Sequence, residues 1–199
     1  MADPVKAVAT GVFKFDPGPH IYTLGSVVLP SVSEILAPVK TDMNSIPTAV
    51  LNKARDRGHA VHFACQLFDE DDLDWDTLDE QIAPYVRGWQ QFTKDHDPLW
   101  TRIEVSDYHK TLMYAGTPDR KGAFGGKNVI VDIKATFDLS PEVQVQLSGY
   151  DLMDEVHADE LWSVRLTKEG SYEKKLHKQA HSTFLSCLNI YNWNKRNRK

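Results

Sequence analysis

The amino-acid sequence predicts an α+β fold, because its helical and strand patterns fall in separate parts of the chain. Helical periodicity dominates residues 46–98, whereas strand patterns and a two-glycine turn dominate residues 99–134. A helix, further strands and a last helix follow. With 199 residues, the chain is long enough to form one domain with its own hydrophobic core.

The N-terminal part, residues 1–45, is predicted to contain a hairpin and a helix. Two short strands, over residues 12–16 and 20–24, lie on either side of a Pro-Gly-Pro turn. Ser31 is the predicted N-cap of the helix, and Glu34, three residues later, completes a capping box.

The second part, residues 46–98, is predicted to be helical. We expect a long helix over residues 47–68, since its apolar residues alternate at spacings of three and four and form one buried stripe. That stripe consists of Leu51, Ala54, Gly58, Val61, Cys65 and Phe68. Pro84 is expected in the first turn of the next helix, which continues through Phe92. The acidic run over residues 69–79 is interpreted as a solvated loop and helix start.

The third part, residues 99–194, is predicted to contain the main sheet and the remaining helices. Strands are expected over residues 99–108, 112–118 and 160–167, and more weakly around Tyr172. The most defined element is a hairpin of residues 119–124 and 127–134 about Gly125-Gly126.

Two helices are expected in the same part of the chain. One begins at Pro141, with Ser140 as its N-cap, and reaches about residue 156. The other carries Phe184, Leu188 and Tyr191 and precedes a basic tail at residues 195–199.

Composition excludes several kinds of site. Cys65 and Cys187 are the two cysteines, so this chain alone cannot build a disulfide framework or a four-cysteine zinc or iron–sulfur site. A reducing cytoplasm is the simplest compartment. We expect neither a secretory signal nor a membrane span, which would need roughly 20 apolar residues. The net charge of −5 argues against a broad basic surface for DNA, although carboxylates that hold cations contribute negative charge themselves.

The hairpin places charged residues on one face. Counting back from a two-residue turn at Gly125-Gly126 puts Asp119 opposite Asp132, where opposed Cβ atoms lie about 4.5–5.5 Å apart. Lys134 shares that face, because side chains alternate along a strand. The residues expected to point into the core instead are Val129, Val131 and Ile133.

Two carboxylates held this close repel each other, and a hard divalent cation between them would relieve the repulsion. A neighbouring lysine could hold or deprotonate a water, or stabilise negative charge on a phosphate. These groups are the ones that metal-assisted phosphodiester hydrolysis requires. On geometry alone, an exposed hairpin with salt bridges remains an alternative.

Other motifs accompany the hairpin. They are Pro118-Asp119 with Asp132-Ile133-Lys134 (P-D…D-x-K), residues 116–120 (G-x-x-D-R), residues 146–150 (Q-x-x-x-Y), residues 58–62 (G-x-x-x-H) and the opening over residues 20–33. In order and spacing, and over nearly the whole chain, they resemble the PD-(D/E)XK nuclease superfamily. The resemblance is to its RecB-like exonuclease branch and to short phage or prophage members. It implies a restriction-endonuclease-like core, with a mixed central sheet flanked by helices.

The resemblance implies roles for the hairpin and for the long helix. Asp119, Asp132 and the carbonyl of Ile133 would bind Mg²⁺, for which Mn²⁺ would substitute, and Lys134 would be the catalytic lysine. His62 would be a metal ligand contributed by the helix. An iron–sulfur cluster is not expected.

Three further residues have a role by the same resemblance. Gln146 and Tyr150 would position DNA or active-site residues, and Glu104 would ligate a second metal ion. Alternatives stay open: Tyr150 could be mainly a packing residue, Glu104 a charged strand residue, and His62 a core histidine.

The function expected is a metal-dependent DNA exonuclease of phage or prophage recombination or repair, in the bacterial host cytoplasm. An endonuclease of the same fold and an inactive DNA-binding module are the alternatives. The sequence lacks a G-x-x-x-x-G-K-[ST] loop, so a helicase or a single-strand annealing protein is a possible partner. Candidate phosphate contacts are Lys53, Arg55, Arg57, Arg120 and the basic tail at residues 195–199.

Overall fold

The computed structural model describes residues 11–41, 46–136 and 139–197. Its strands are β1 (Phe13–Asp16), β2 (Ile21–Leu24), β3 (Val27–Leu29), β4 (Leu99–Ile103), β5 (Asp107–Tyr108), β6 (Ala115–Gly116), β7 (Arg120–Phe124), β8 (Lys127–Lys134), β9 (Glu160–Leu166) and β10 (Tyr172–His177). Its α-helices are α1 (Val32–Ile35), α2 (Thr48–Asp69), α3 (Ala83–His96), α4 (Glu142–Asp151) and α5 (His181–Asn197), and a short 3-10 helix spans Ala37–Val39.

A mixed five-stranded sheet forms the centre of the fold, in the order β10-β9-β8-β7-β4. The β8–β9 pair is parallel and the other pairs are antiparallel. Helices α2 and α3 pack on one face of the sheet, and α1, α4 and α5 pack on the other. The predicted α+β class, with a mixed central sheet flanked by helices, is confirmed.

The β7–β8 hairpin has the predicted register. Arg120 pairs with Val131, and the pairing continues to Phe124 and Lys127 at the turn. Gly125 and Gly126 both adopt positive φ angles, of 58° and 77°, as a two-residue turn that follows the right-handed twist of the strands requires. The three residues expected in the core, Val129, Val131 and Ile133, are buried against α2 and α3.

The predicted N-terminal hairpin and capping box are present, and the hairpin gains one strand. β1 and β2 pair as expected, and β3, which the sequence pattern did not predict, extends them to a three-stranded sheet. The capping box is present, because Glu34 N donates to Ser31 Oγ at 3.1 Å and Ser31 N donates to Glu34 Oε2 at 2.7 Å. The helix behind it, α1, is only four residues long.

Two predicted strands were too long. The strand expected over residues 99–108 ends at Ile103, and only two residues of the strand expected over residues 112–118 pair as β6. Glu104 and Met113 adopt positive φ angles of 49° and 56°, which extended backbone cannot accommodate. Helix α4 likewise ends at Asp151 and not near residue 156.

The predicted stripe on α2 is buried only in its C-terminal half. Val61, Ala64 and Cys65 are buried against α3 and the sheet, whereas Ala54 is exposed and Val50 is 56% exposed. The apolar residues of α3 and the sheet form one core cluster with residues from the C-terminal half of this helix. The N-terminal half of α2 therefore extends beyond the core.

Two compositional expectations bear on the structure. Cys65 and Cys187 are both free and buried, so they act as small apolar residues in the core. Among the residues that the structure describes, no helix combines the length and apolar character needed to cross a membrane.

Gly149 allows α4 and α5 to approach closely, since a Cβ at this position would lie 2.5 Å from the Phe184 ring. We expect Gly149→Ala to lower the free energy of unfolding by about 1–3 kcal/mol, measured by urea denaturation, because the buried ring has no room to move. Gly58→Ala in α2 is the matched control. A Cβ there meets no atom within 4 Å, so its better helix propensity should raise stability by up to about 1 kcal/mol. Equal stability of Gly149→Ala and the wild type would contradict this packing.

Candidate active site

Three potential metal ligands from different parts of the chain meet at one end of the β7–β8 hairpin. His62 lies on α2, Glu104 follows β4, and Asp119 precedes β7. His62 Nδ1 lies 3.5 Å from Asp119 Oδ1 and 3.6 Å from Glu104 Oε1. The three ligand atoms all lie within 4.8 Å of one another.

The left-handed conformation of Glu104 brings its carboxylate into this group. β4 ends one residue earlier, and the N–H of Glu104 donates to the carbonyl of Asp119 at 2.9 Å. A non-glycine residue with positive φ is uncommon and persists only where its surroundings hold it in place. Glu104 therefore lies just outside the strand in which the sequence pattern placed it.

Asp119 is buried and fixed by β8. Its Oδ2 atom accepts a hydrogen bond from Ile133 N at 2.6 Å, which leaves Oδ1 directed toward His62. A residue in an antiparallel ladder directs its N–H and C=O toward the same neighbouring strand. The carbonyl of Ile133 is therefore directed toward the Asp119 side, where the resemblance expects a ligand.

Asp132 and Lys134 lie side by side on β8. Lys134 Nζ is 2.9 Å from Asp132 Oδ1 and 2.8 Å from Oδ2, but only the contact with Oδ1 has hydrogen-bond geometry. The Oδ2 atom is thus buried without a hydrogen bond. Asp132 is not one of the three clustered ligands, although its carboxylate is close enough to affect their charges.

Gln146 and Tyr150 reach the same region from α4. Lys134 Nζ lies 3.4 Å from Gln146 Oε1, and Gln146 Nε2 donates to the hydroxyl of Tyr150 at 3.0 Å. The Tyr150 ring is buried and lies against Gly116, where an added Cβ would come within 2.7 Å of it. Tyr150 therefore packs in the core and also fixes Gln146 through its hydroxyl.

Arg120 is not available for DNA, contrary to its interpretation as a phosphate contact. It is fully buried, and its side chain donates to Asp69 Oδ2 at 2.6 Å and to Glu104 Oε1 at 3.1 Å. Its guanidinium lies 5.6 Å from the centre of the Trp89 ring, whose Nε1 also donates to Asp69. The hairpin register explains this burial, because Arg120 pairs with the core residue Val131.

Asp69 was missed as a site residue. The acidic run that begins there was interpreted as solvated, yet the Asp69 side chain is only 3% exposed. One feature of the sequence could have indicated this role. Asp69 lies seven residues after His62 on the predicted helix and therefore on the same helix face. Asp69 fixes Arg120, and Arg120 in turn fixes Glu104.

The charges of the site are strongly coupled. Burial opposes the charged form of His62, but attraction to Asp119 and hydrogen bonds to Asp119 and Glu104 outweigh it and raise the pKa of His62 to about 10. Burial raises the pKa of Asp132 to about 6, although Lys134 counteracts it. Burial also disfavours the Lys134 ammonium, but Asp132 and Asp119 more than offset this and raise the pKa of Lys134. Lys134 is thus a cation at neutral pH.

The residues fit a divalent cation. Carboxylate oxygens with one imidazole nitrogen suit Mn²⁺ and, for the oxygens, Mg²⁺. The buried Oδ2 atom of Asp132 makes no hydrogen bond, so it could take a metal ion as a partner besides the Lys134 ammonium 2.8 Å away. His62, Glu104 and Asp119 would hold the ion, with the neighbouring Asp132 as a further candidate ligand.

Comparison with known proteins gives the following picture. No known family profile and no curated protein matches the chain. Similar solved structures include the crystal structure of SSO0001, at 14% identity and a TM-score of 0.37, and the alkaline exonuclease LHK-Exo from Laribacter hongkongensis, at 13% identity and a TM-score of 0.43. The first alignment covers 52% of this chain and 54% of SSO0001, about half of its length, and the second covers 84% of this chain and 92% of LHK-Exo.

Metal binding at this site should release a proton from His62. With its pKa raised to about 10, His62 is protonated at pH 8, whereas a ligand must be the neutral imidazole. Asp132, with a pKa of about 6, is already ionised at that pH. We expect Mn²⁺ binding at pH 8 to release about one proton, and its affinity to fall about tenfold per pH unit as pH decreases below 8.

Calorimetric titration in two buffers of different ionisation enthalpy counts the released protons. The His62→Gln variant should release none at pH 8, while His59→Gln, an exposed histidine one turn earlier on α2, should match the wild type. Identical proton release from the wild type and His62→Gln would rule out His62 as the ligand.

Proposed function

We propose that the protein is a metal-dependent DNA exonuclease. The observation that carries the nuclease assignment is the group formed by His62, Glu104 and Asp119, next to the Asp132–Lys134 pair. It combines a ligand set for a divalent cation with a fixed ammonium group at its edge. The exonuclease preference is supported by the resemblance of the His62 and Gln146–Tyr150 motifs to the RecB-like branch, with recombination or repair as the proposed role.

The residues of the chain divide the work of phosphodiester hydrolysis. A divalent cation held by His62, Glu104, Asp119 and Asp132 would supply a Lewis acid and lower the pKa of a coordinated water. Lys134, as a cation, would contact a phosphate oxygen and stabilise the negative charge that develops on it. Its side chain is 23% exposed, so a phosphate can reach it.

The position of Lys134 is set before any substrate binds. Asp132 holds its ammonium from one side, and Gln146 contacts it from α4 at 3.4 Å. Gln146 is itself fixed by the hydroxyl of Tyr150. Such pre-organised charges cost little reorganisation during the reaction, which is why they lower the barrier effectively. Gln146 and Tyr150 are therefore proposed as positioning residues.

The proposed path of DNA follows the N-terminal half of α2. Lys53 and Arg55 are exposed there, and the contact between Arg55 and Asp56 is an exposed pair at 3.6 Å that a phosphate could replace. Arg57 donates to the carbonyl of Ala135, just beyond Lys134, and so ties this helix to the catalytic strand. Arg198 and Lys199 of the basic tail lie outside the described residues.

Substitution of the hairpin residues tests the active-site assignment. Asp119→Asn and Asp132→Asn keep the size of each side chain but remove its charge, so both metal affinity and cleavage should be lost. Lys134→Met should lower kcat by about 10²–10³-fold, because a charge next to the phosphate disappears, while Mn²⁺ affinity changes little. Lys127→Met, at the exposed end of the same strand, is the matched control and should cleave normally. Near wild-type cleavage by any of the three hairpin variants would make the assignment wrong.

A comparison of linear and circular DNA tests the exonuclease proposal. We expect linear single-stranded or double-stranded DNA to be degraded in Mg²⁺ or Mn²⁺, and the matching closed circles to persist, with EDTA abolishing all cleavage. Asp132→Asn controls for contaminating nucleases. Efficient cutting of the circle would favour an endonuclease of the same fold. Binding without cleavage of any substrate would instead indicate an inactive DNA-binding module.

A further inference from the structure

A second group of potential metal ligands lies outside the candidate active site. Asp151 is the last residue of α4, His157 lies in the connection to β9, and His181 is the first residue of α5. His181 Nε2 lies 2.7 Å and His157 Nδ1 lies 3.4 Å from the same atom, Asp151 Oδ2. The two imidazole rings are 4.9 Å apart, and the three ligand atoms lie within 4.8 Å of one another.

The Asp151 carboxylate is fully buried, with both of its oxygens in polar contacts. A buried carboxylate is costly unless a cation or strong hydrogen bonds compensate it. Its Oδ1 atom accepts from the backbone N–H of Ala158 at 2.7 Å. Within the described residues, the ion-pair partners of Oδ2 are His157 and His181, and His157 Nδ1 also lies 3.2 Å from the backbone carbonyl of Asp151.

We propose that Asp151, His157 and His181 bind a divalent transition-metal ion, with Zn²⁺ as the expected occupant. Two imidazole nitrogens and one carboxylate oxygen form a ligand set that Zn²⁺ accepts, and three protein ligands leave one position to water. His157 is 46% exposed, so that position faces solvent. The ion would replace the hydrogen on His181 Nε2 that contacts Asp151 Oδ2 and the hydrogen on His157 Nδ1 that contacts the Asp151 carbonyl. Each ring, bound as a neutral imidazole, would then carry its hydrogen on the other ring nitrogen.

The two sites select different ions. The candidate active site clusters two carboxylates and one imidazole, with the Asp132 carboxylate beside them, which suits Mg²⁺ or Mn²⁺, whereas two imidazoles dominate the Asp151 site. Excess Mg²⁺ should therefore fill the first site without displacing Zn²⁺ or Co²⁺ from the second.

An ion at Asp151 would join three segments of the fold. It would fix the end of α4 to the start of α5 and to the connection before β9. Since α4 carries Gln146 and Tyr150, the ion would stabilise the helix that positions Lys134. Its role is structural and does not depend on whether the protein cleaves DNA.

Cobalt binding to the full-length protein tests this site. The probe is Co²⁺, titrated with excess Mg²⁺ into the Asp119→Asn/Asp132→Asn double variant, whose candidate active site is disabled. We expect one equivalent of Co²⁺ with visible absorption bands of a nitrogen-coordinated ion. At a Zn²⁺ concentration about 100 times the Kd, Tm should rise by about 5–10 °C.

Substitution of the partly exposed ligand separates binding at this site from general effects on folding. His157→Ala in the same background should lower Co²⁺ affinity at least 10–100-fold and remove the rise in Tm, with an unchanged circular dichroism spectrum. His59→Ala, an exposed histidine on α2, should bind Co²⁺ like the parent. Equal Co²⁺ affinity of His157→Ala and His59→Ala would overturn the proposal, as would failure of the folded double variant to take up Co²⁺. Neither result depends on nuclease activity.

Discussion

The candidate active site depends on the ion pairs that the buried guanidinium of Arg120 makes with Asp69 and Glu104. The site gathers several carboxylates in a region with little solvent, and their mutual repulsion would push them apart without an internal counter-charge. Arg120 supplies that charge at the back of the cluster, between Asp69 and Glu104, and rests on Trp89. A planar guanidinium can donate hydrogen bonds to two carboxylates at once, whereas the single ammonium of a lysine is less suited to this. The same residue therefore holds the core and the ligand geometry together.

Fold and candidate site are joined because every layer of the fold brings residues to the site. Helix α2 contributes His62 from one face of the sheet, the hairpin contributes Asp119 and Asp132 from the sheet itself, and α4 reaches Lys134 from the other face. The left-handed turn at Glu104 adds the remaining carboxylate. A disturbance of either helical layer would thus reach the ligands through only one or two contacts.

Features that depend on local sequence patterns could be predicted from the sequence. Features that depend on a contact with a residue distant in sequence could not. Two glycines and alternating valines specify the hairpin, so its register and the shared face of Asp132 and Lys134 could be predicted. The end of the strand at Glu104 could not be predicted. The hydrogen bond from Glu104 N to the Asp119 carbonyl joins residues far apart in sequence, and β-propensity does not report such a contact. The burial of Asp69 was equally hidden, since only a partner 51 residues away makes an acidic residue stable in the core. The alternation of side chains along the strand indicated the face on which Arg120 lies, but the sequence did not reveal Asp69 as its partner.

The two outer strands of the central sheet have a consequence for how the molecule behaves at high concentration. An exposed sheet edge invites pairing with another chain, and natural proteins prevent this with charges, bulges or irregularities. The outer strand β10 carries Lys174 and Lys175 in its middle, and β4 has an irregular register between Trp100 and Arg102. Neither edge offers a flat, uncharged template for strand addition. Self-association through continuous β-pairing is therefore disfavoured at both ends, which protects the chain from aggregating as its sheet forms.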